Sequence, residues 1–101
     1  MIYTAKDIAA ILAAEALITD ATARVEYLVT DSRRISFPAT SLFFALQTAR
    51  RDAHQFIEEV HERGVNNFVV RKGFDTSAFT NANFIFVEER IRRVYLLLRQ
   101  K

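Results

Sequence analysis

The sequence predicts an α/β domain built on a mixed sheet of about four to five strands with helices packed against it. Three observations predict it. Segments with apolar residues at helical spacing alternate with short β-branched and aromatic runs, in the order helix, strand, strand, helix, strand, strand, helix. The run Leu42–Leu46 (Leu-Phe-Phe-Ala-Leu) is wholly apolar, too short for a helix and rich in aromatics, as a central strand is. The span from that run through the next helix to Phe68-Val69-Val70 has the length of a right-handed crossover, so those two strands are expected as parallel neighbours.

Each element has its own signal. Thr4 suits an N-cap, and Asp7 three residues later favours a first helical turn through the helix dipole. Ile8, Ile11 and Leu12 fall on one face of an alanine-rich stretch, which predicts a helix running to about Leu17. From Arg24 to Thr30, Val25, Tyr27 and Val29 alternate with Arg24, Glu26 and Leu28, the pattern of a strand buried chiefly on one face. Asp31 to Ser41 is a polar connection holding Pro38, the single proline. Asp52 and Gln55 form a capping-box pair for the next helix, which buries Phe56, Ile57 and Val60 and closes at Gly64. Phe68-Val69-Val70 and Phe84-Ile85-Phe86-Val87 read as strands with a polar loop between them. Ile91, Val94, Tyr95 and Leu98 give the last segment an amphipathic helical stripe.

Composition narrows the function. A chain of 101 residues, 50% hydrophobic with nine Phe and three Tyr, is expected to be a single ordered domain. No apolar run approaches the roughly 18 residues of a membrane span, the first residues lack the layout of a secretory signal, and there is no cysteine. These features point to a cytoplasmic protein. The net charge of +2 does not call for nucleic acid, although eleven of the fourteen cations are Arg, the side chain suited to phosphate and carboxylate. Only Gly64 and Gly73 are present, so no glycine-rich phosphate loop can be written.

The residues of chemical interest flank the apolar strand. Thr30-Asp31-Ser32-Arg33-Arg34 precede it and Thr48-Ala49-Arg50-Arg51-Asp52 follow it. Two Arg pairs, three hydroxyls and a helix N-terminus converging at one end of a sheet would suit a phosphate or diphosphate. Solvated arginines, or ion pairs with Asp31 and Asp52, are the alternative. Catalysis finds no candidates. His54 and His61 lie seven residues apart with no third metal ligand, Ser32 has no activating base at an obvious spacing, and Glu58-Glu59 and Glu88-Glu89 read as solvated charges. Arg90, Arg92, Arg93 and Arg99 give the last helix a basic face, open to a solvated role, a neighbouring domain or, as a stand-alone module, a partner.

In order and at close spacing, Thr30-Asp31-Ser32-Arg33, Leu42-Phe43-Phe44-Ala45-Leu46, Arg50-Arg51-Asp52-Ala53-His54-Gln55-Phe56-Ile57 and Gly64-Val65 before Phe68-Val69-Val70 resemble the N-terminal domain of Mur ligases. The resemblance covers nearly the whole chain. It implies the fold of the MurE and MurF N-terminal domains and a single substrate-binding domain, residues 1–101, from the start of a longer ligase. Ala53 in the Asp-Ala-His element is similar to the MurF type, which joins D-alanyl-D-alanine to UDP-N-acetylmuramoyl-tripeptide with ATP and magnesium; the MurE type, adding the third amino acid, is the alternative. The long Arg34–Ser41 loop and the doubled Phe43-Phe44 also look like forms fused to an alanine racemase. By position the resemblance implies contacts to the uridine and diphosphate from Thr30, Ser32, Arg33, Thr48, Ala49, Arg50 and Arg51, with no catalytic or metal-binding residue in this chain and no cofactor of its own. The implied partners are the UDP-N-acetylmuramoyl-tripeptide substrate and a central ATP-binding domain. Two departures stand out: Thr48 replaces the family's Gly, and Pro38-Ala39 replaces its proline-glycine. A Thr cannot cheaply take positive φ, so this loop is expected to differ from the common form.

Overall fold

A computed structural model describes residues 2–88 and 90–100 of the chain. The sheet forms where the apolar runs are. Strands β4 (Tyr27–Val29), β5 (Ser41–Phe44), β6 (Asn67–Arg71) and β7 (Asn83–Val87) run parallel, with Phe43 opposite Phe68 and Phe68 opposite Phe84. A short strand, β2 (Glu15–Leu17), adds antiparallel to β7, giving a five-stranded mixed sheet of order β2-β7-β6-β5-β4. The expected architecture is therefore observed, including the β5–β6 crossover. Parallel strands covered on both faces read as continuous apolar runs, and β5 is buried at every residue.

Alternation along β5 assigns the helices to their faces. Phe43 packs edge-on against Phe68, whose ring also meets His61 of helix α2 (Ile57–Glu62). Phe44 points the other way and meets Tyr95 of helix α3 (Ile91–Arg99) edge-on at 5.2 Å. Helix α1 (Ala5–Leu12) lies beside α3, where Ile11, Leu12, Leu97 and Leu98 line a shared groove. On the α2 side, Phe74 and Phe79 from the β6–β7 loop stack on each other and meet the Phe84 ring at a tilt. Phe43, Phe44, Phe68 and Phe84 are all fully buried at the centre.

Several boundaries differ from the sequence reading, each for a local reason. Helix α1 stops at Leu12, not near Leu17. Ala13 takes the left-handed conformation (φ 51°, ψ 40°), and the Ala14 N–H closes onto Ala9 O at 3.0 Å. Helix propensity in the alanine run yields to the ladder that Glu15–Leu17 makes with β7. The start of α1 is a full capping box, the Thr4 hydroxyl accepting from Asp7 N–H and the Asp7 carboxylate accepting from Thr4 N–H. The expected strand Arg24–Thr30 is two strands. Its first part, β3 (Arg24–Val25), pairs antiparallel with β1 (Tyr3–Thr4) in a separate ribbon. At Glu26, whose N–H donates to Thr40 O, the chain passes into the main sheet. The inward alternation breaks there, so Tyr27 is 42% exposed and stacks on Phe37 at 4.8 Å.

The N-terminal ends of the parallel strands are joined by buried polar side chains. Asn83 Oδ1 accepts from the N–H groups of Thr19 and Asp20, and its Nδ2 donates to Asp20 O and Asn67 Oδ1. Asn67 Nδ2 reaches Ser41 O at 3.5 Å, and Ser41 Oγ donates to Phe37 O. No buried side-chain N or O among the described residues is left without a partner. One end of the sheet is thereby closed; the other carries the loops of interest.

Candidate functional site

At the C-terminal ends of β4 and β5 the chain leaves the sheet in two loops facing each other across a groove of about 210 Å³. Thr30, Asp31, Ser32 and Arg33 form one wall, and Thr48 and Arg51 the other. Phe43, Leu46, Ala53 and Phe56 make an apolar floor. Ligands of open α/β sheets bind at this end of the strands.

The first wall is fixed by Asp31. Its carboxylate accepts from Arg33 Nε and Nη2, both at 3.1 Å, and from the Arg33 N–H at 2.9 Å, while Arg34 Nε stands 3.9 Å away. The Arg33 guanidinium, with its backbone N–H, brings the Asp31 carboxyl down to about 2. The charge on Arg33 is thus matched locally, as the ion-pair alternative anticipated. The Arg63 guanidinium, just past α2, donates to Ser32 O and ties this loop to the helix.

The second wall is a tight hairpin. Gln47 and Asp52 form a bridge, and Thr48 N–H donates to Arg51 O at 2.7 Å. Arg51 N–H donates to Thr48 Oγ1 at 3.1 Å. The hydroxyl does here what a backbone carbonyl does in an ordinary hairpin, and Thr48 has no positive φ; Ala13 is the only non-glycine among the described residues that does. That is the physical meaning of Thr at this position. Ala49 and Arg50 form the exposed tip, and neither lines the groove. The Arg51 guanidinium lies over the Phe56 ring, 5.1 Å from its centre, without an acidic partner among the described residues.

The expected helix N-terminus is built differently. Asp52 accepts from His54 N–H, but Ala53–Phe56 is a 3-10 turn, and no Gln55 side chain reaches back to complete a box. The Asp52 carboxylate itself occupies the first free donor, which weakens the turn as an anion site. Neither Arg50 nor Arg51 pairs with Asp52. Its partners are His54 Nδ1 at 2.5 Å and Arg71 Nη1 at 2.8 Å.

His54, whose spacing from His61 offers no metal site, has a structural role in the Asp52-capped turn. Its ring is buried, and Nε2 accepts the Arg71 N–H at 3.0 Å where β6 ends. Nδ1 therefore carries the proton and donates it to Asp52. Burial holds the His54 pKa below its ordinary value, against the pull of Asp52. Burial works against ionisation of Asp52 as well, yet hydrogen bonds from His54 N–H, Arg71 and the His54 ring together bring it to about 2. Together Asp52, His54 and Arg71 form a strut pinning the hairpin to β6. The Asp-Ala-His spacing was the visible signal, but its partner on β6 was not. Among the described residues, no three His, Cys, Asp or Glu side chains gather as metal ligands would.

A second, wider concavity of about 640 Å³ adjoins the hairpin on its other side, lined by Gln47, Thr48, Ala49, Arg71, Glu88, Arg90, Ile91 and Arg92. Of the seven residues the sequence nominated, Thr30, Ser32, Arg33, Thr48 and Arg51 therefore share one groove. Ala49 faces the second, and Arg50 lines neither.

The fold has solved counterparts. The chain superposes on a UDP-N-acetylmuramoylalanyl-D-glutamyl-2,6-diaminopimelate--D-alanyl-D-alanyl ligase from Acinetobacter baumannii with a TM-score of 0.73 at 22% identity, over 93% of this chain and 20% of that one. Two crystal structures of MurF from the same organism match with TM-scores of 0.72 and 0.74, at 22% and 21% identity, over 95% and 93% of this chain and 20% and 19% of theirs. The fold is that of a MurF segment. The chain spans about a fifth of the length of the MurF structures it matches. No protein-family model and no curated protein sequence matches it. No helix among the described residues is long and apolar enough to cross a membrane.

Proposed function

We propose that this chain is the UDP-sugar-binding domain of a Mur ligase, recognising UDP-N-acetylmuramoyl-tripeptide for an ATP-dependent enzyme of the MurF type that adds D-alanyl-D-alanine. The observation that carries the reading is the groove itself, in which the two segments resembling the Mur ligase motifs face each other across an apolar floor. The MurF fold around it adds support. In this reading Leu46 and Phe56 bed the uracil, and the hydroxyls of Thr30, Ser32 and Thr48 meet its polar edge or the ribose. Arg51, held over Phe56 and otherwise unpaired, takes a phosphate. Arg33 orders the Asp31 loop instead of contacting the ligand directly, because its fork is already filled. Ala49 and Arg50 contribute backbone shape only.

The proposal places ATP and magnesium on the remainder of a longer cytoplasmic ligase. This chain's own residues do not suit them: its two glycines lie at 64 and 73, outside any phosphate loop. The domain alone binds and orients substrate without turning it over.

Titration of the 15N-labelled chain with UDP and with UDP-N-acetylmuramoyl-tripeptide tests the reading. Shifts are expected at Ser32, Thr48 and Arg51, with Arg51→Ala weakening binding about 10–100-fold, the range of one lost charge-assisted hydrogen bond. Arg50→Ala changes affinity less than about twofold. Unperturbed amides at Ser32 and Arg51 at millimolar ligand would sink the proposal.

A further inference from the structure

We infer that the wider groove beyond the Thr48–Arg51 hairpin is a second, anion-binding half of the same ligand site, with Arg90 and Arg92 as its contact residues. The inference rests on the proposed function and adds where the rest of the ligand lies.

Size comes first. The uridine groove, about 210 Å³, is smaller than the roughly 300–1,000 Å³ pockets that enclose drug-sized ligands. It can hold a base, part of the ribose and the phosphate oxygens that meet Arg51 at its wall, so the rest of the ligand must extend out of it. The adjoining groove, about 640 Å³, falls inside that range and shares Thr48 as a common wall. A ligand leaving the first groove past Thr48 enters the second.

Charge comes next. Arg71, on the second groove's wall, is already engaged by Asp52 at 2.8 Å and Gln47 at 3.1 Å. Glu88, the acidic residue lining it, is held by Lys72 Nζ at 3.1 Å. Arg90 and Arg92 are exposed and form no ion pair among the described residues. Two arginines with no acidic partner among the described residues, over a groove whose other described charges are matched locally, select phosphate or carboxylate. The same helix carries Arg93 and Arg99 away from this groove, Arg93 beside the apolar cleft at α1 and Arg99 over Tyr95. Only part of its basic face thus belongs to the site.

The test compares uridine, UDP and UDP-N-acetylmuramoyl-tripeptide by calorimetric or NMR titration against the wild type, R90Q/R92Q and R93Q/R99Q. The inference expects R90Q/R92Q to weaken the tripeptide ligand at least tenfold while uridine affinity stays the same. R93Q/R99Q, with the same loss of net charge, should bind as the wild type does. A loss already present for UDP identifies the anion as the diphosphate; a loss confined to the tripeptide ligand identifies it as the peptide carboxylates. Equal weakening by both double variants would reduce the effect to overall charge and overturn the inference, as would wild-type affinity in R90Q/R92Q. A wild type that binds none of the three ligands removes the proposed function itself, and this inference with it.

Discussion

Replacing His54 with alanine removes the side chain that joins the hairpin to the end of β6, and the cost can be worked out from its two bonds. The Arg71 N–H, now donating to Nε2 at 3.0 Å, loses its acceptor at a site where His54 is only 7% exposed. A buried donor left unpaired costs about 1–3 kcal/mol. The Nδ1–H bond to the Asp52 carboxylate is charge-assisted, in the class of about 1.5–3 kcal/mol. Water entering the space recovers part of both, so His54→Ala is expected to destabilise the chain by about 3 kcal/mol. In a domain of this size that lowers Tm by more than about 10 °C. Asp52→Asn keeps an N-cap and an acceptor for the ring, so its cost should be nearer 1 kcal/mol. Urea denaturation of the three proteins measures this. A His54→Ala cost below about 1 kcal/mol, or one no larger than that of Asp52→Asn, would show the ring to be mere filler and refute the strut. The same geometry sets a pH dependence. A protonated Nε2 would point an N–H at the Arg71 N–H, so the folded chain holds His54 neutral, its pKa below the ordinary 6.5. The unfolded state then binds the proton more readily. Stability from this site is complete above about pH 6.5 and declines as pH falls below it, a slope that His54→Ala should lack. The Asp52 carboxylate, at about 2 in the fold against 3.8, loses its contribution separately, at lower pH.

Two further outcomes follow from the fold. Ala13→Gly relieves the left-handed cap of α1, a conformation costing roughly 1–2 kcal/mol for an L residue; after the added chain entropy of glycine it should stabilise by about 0.5–1 kcal/mol, read as a rise in Tm. Unchanged or lower stability would mean that the cap is not strained. Asn83→Ala deprives the Thr19 and Asp20 N–H groups and Asn67 of their partners, with an expected loss above about 3 kcal/mol and faster amide exchange at Thr19 and Asp20. Protection there equal to the wild type would contradict the network.

The sequence revealed most where physics is local or where burial is total. The run Leu42–Leu46 reads better as a central strand than as a helix, and β5 takes in its first three residues. The crossover to Phe68–Val70 followed from length alone. What stayed hidden depended on partners far along the chain. Glu15–Leu17 carries no strand signal and becomes β2 only because the edge of β7 is free to pair with it. Asn67 and Asn83 look like loop residues until they meet at the foot of adjacent strands. At the candidate site, the two Arg-bearing flanks were legible from charge and position. Which arginines face the groove was not, since that depends on the two-residue tip that turns Ala49 and Arg50 away from it. The pairing of Arg33 with Asp31 was foreseen only as an alternative, and the freedom of Arg51 follows from Asp52 turning instead to His54 and Arg71.

The place of β7 also governs how the chain can be assembled on the ribosome. Its neighbours in the sheet are β6, just before it, and β2, from the first twenty residues. Asn83 fastens Thr19 and Asp20 across 64 and 63 positions of sequence. Everything from β4 to β6 can pair as it emerges, each strand laid beside the last. Glu15–Leu17 has no edge of the main sheet to join until β7 has left the exit tunnel, although β1 can pair with β3 well before then. Growth by successive addition from β4 to β7 is closed when β7 takes β2 onto its free edge.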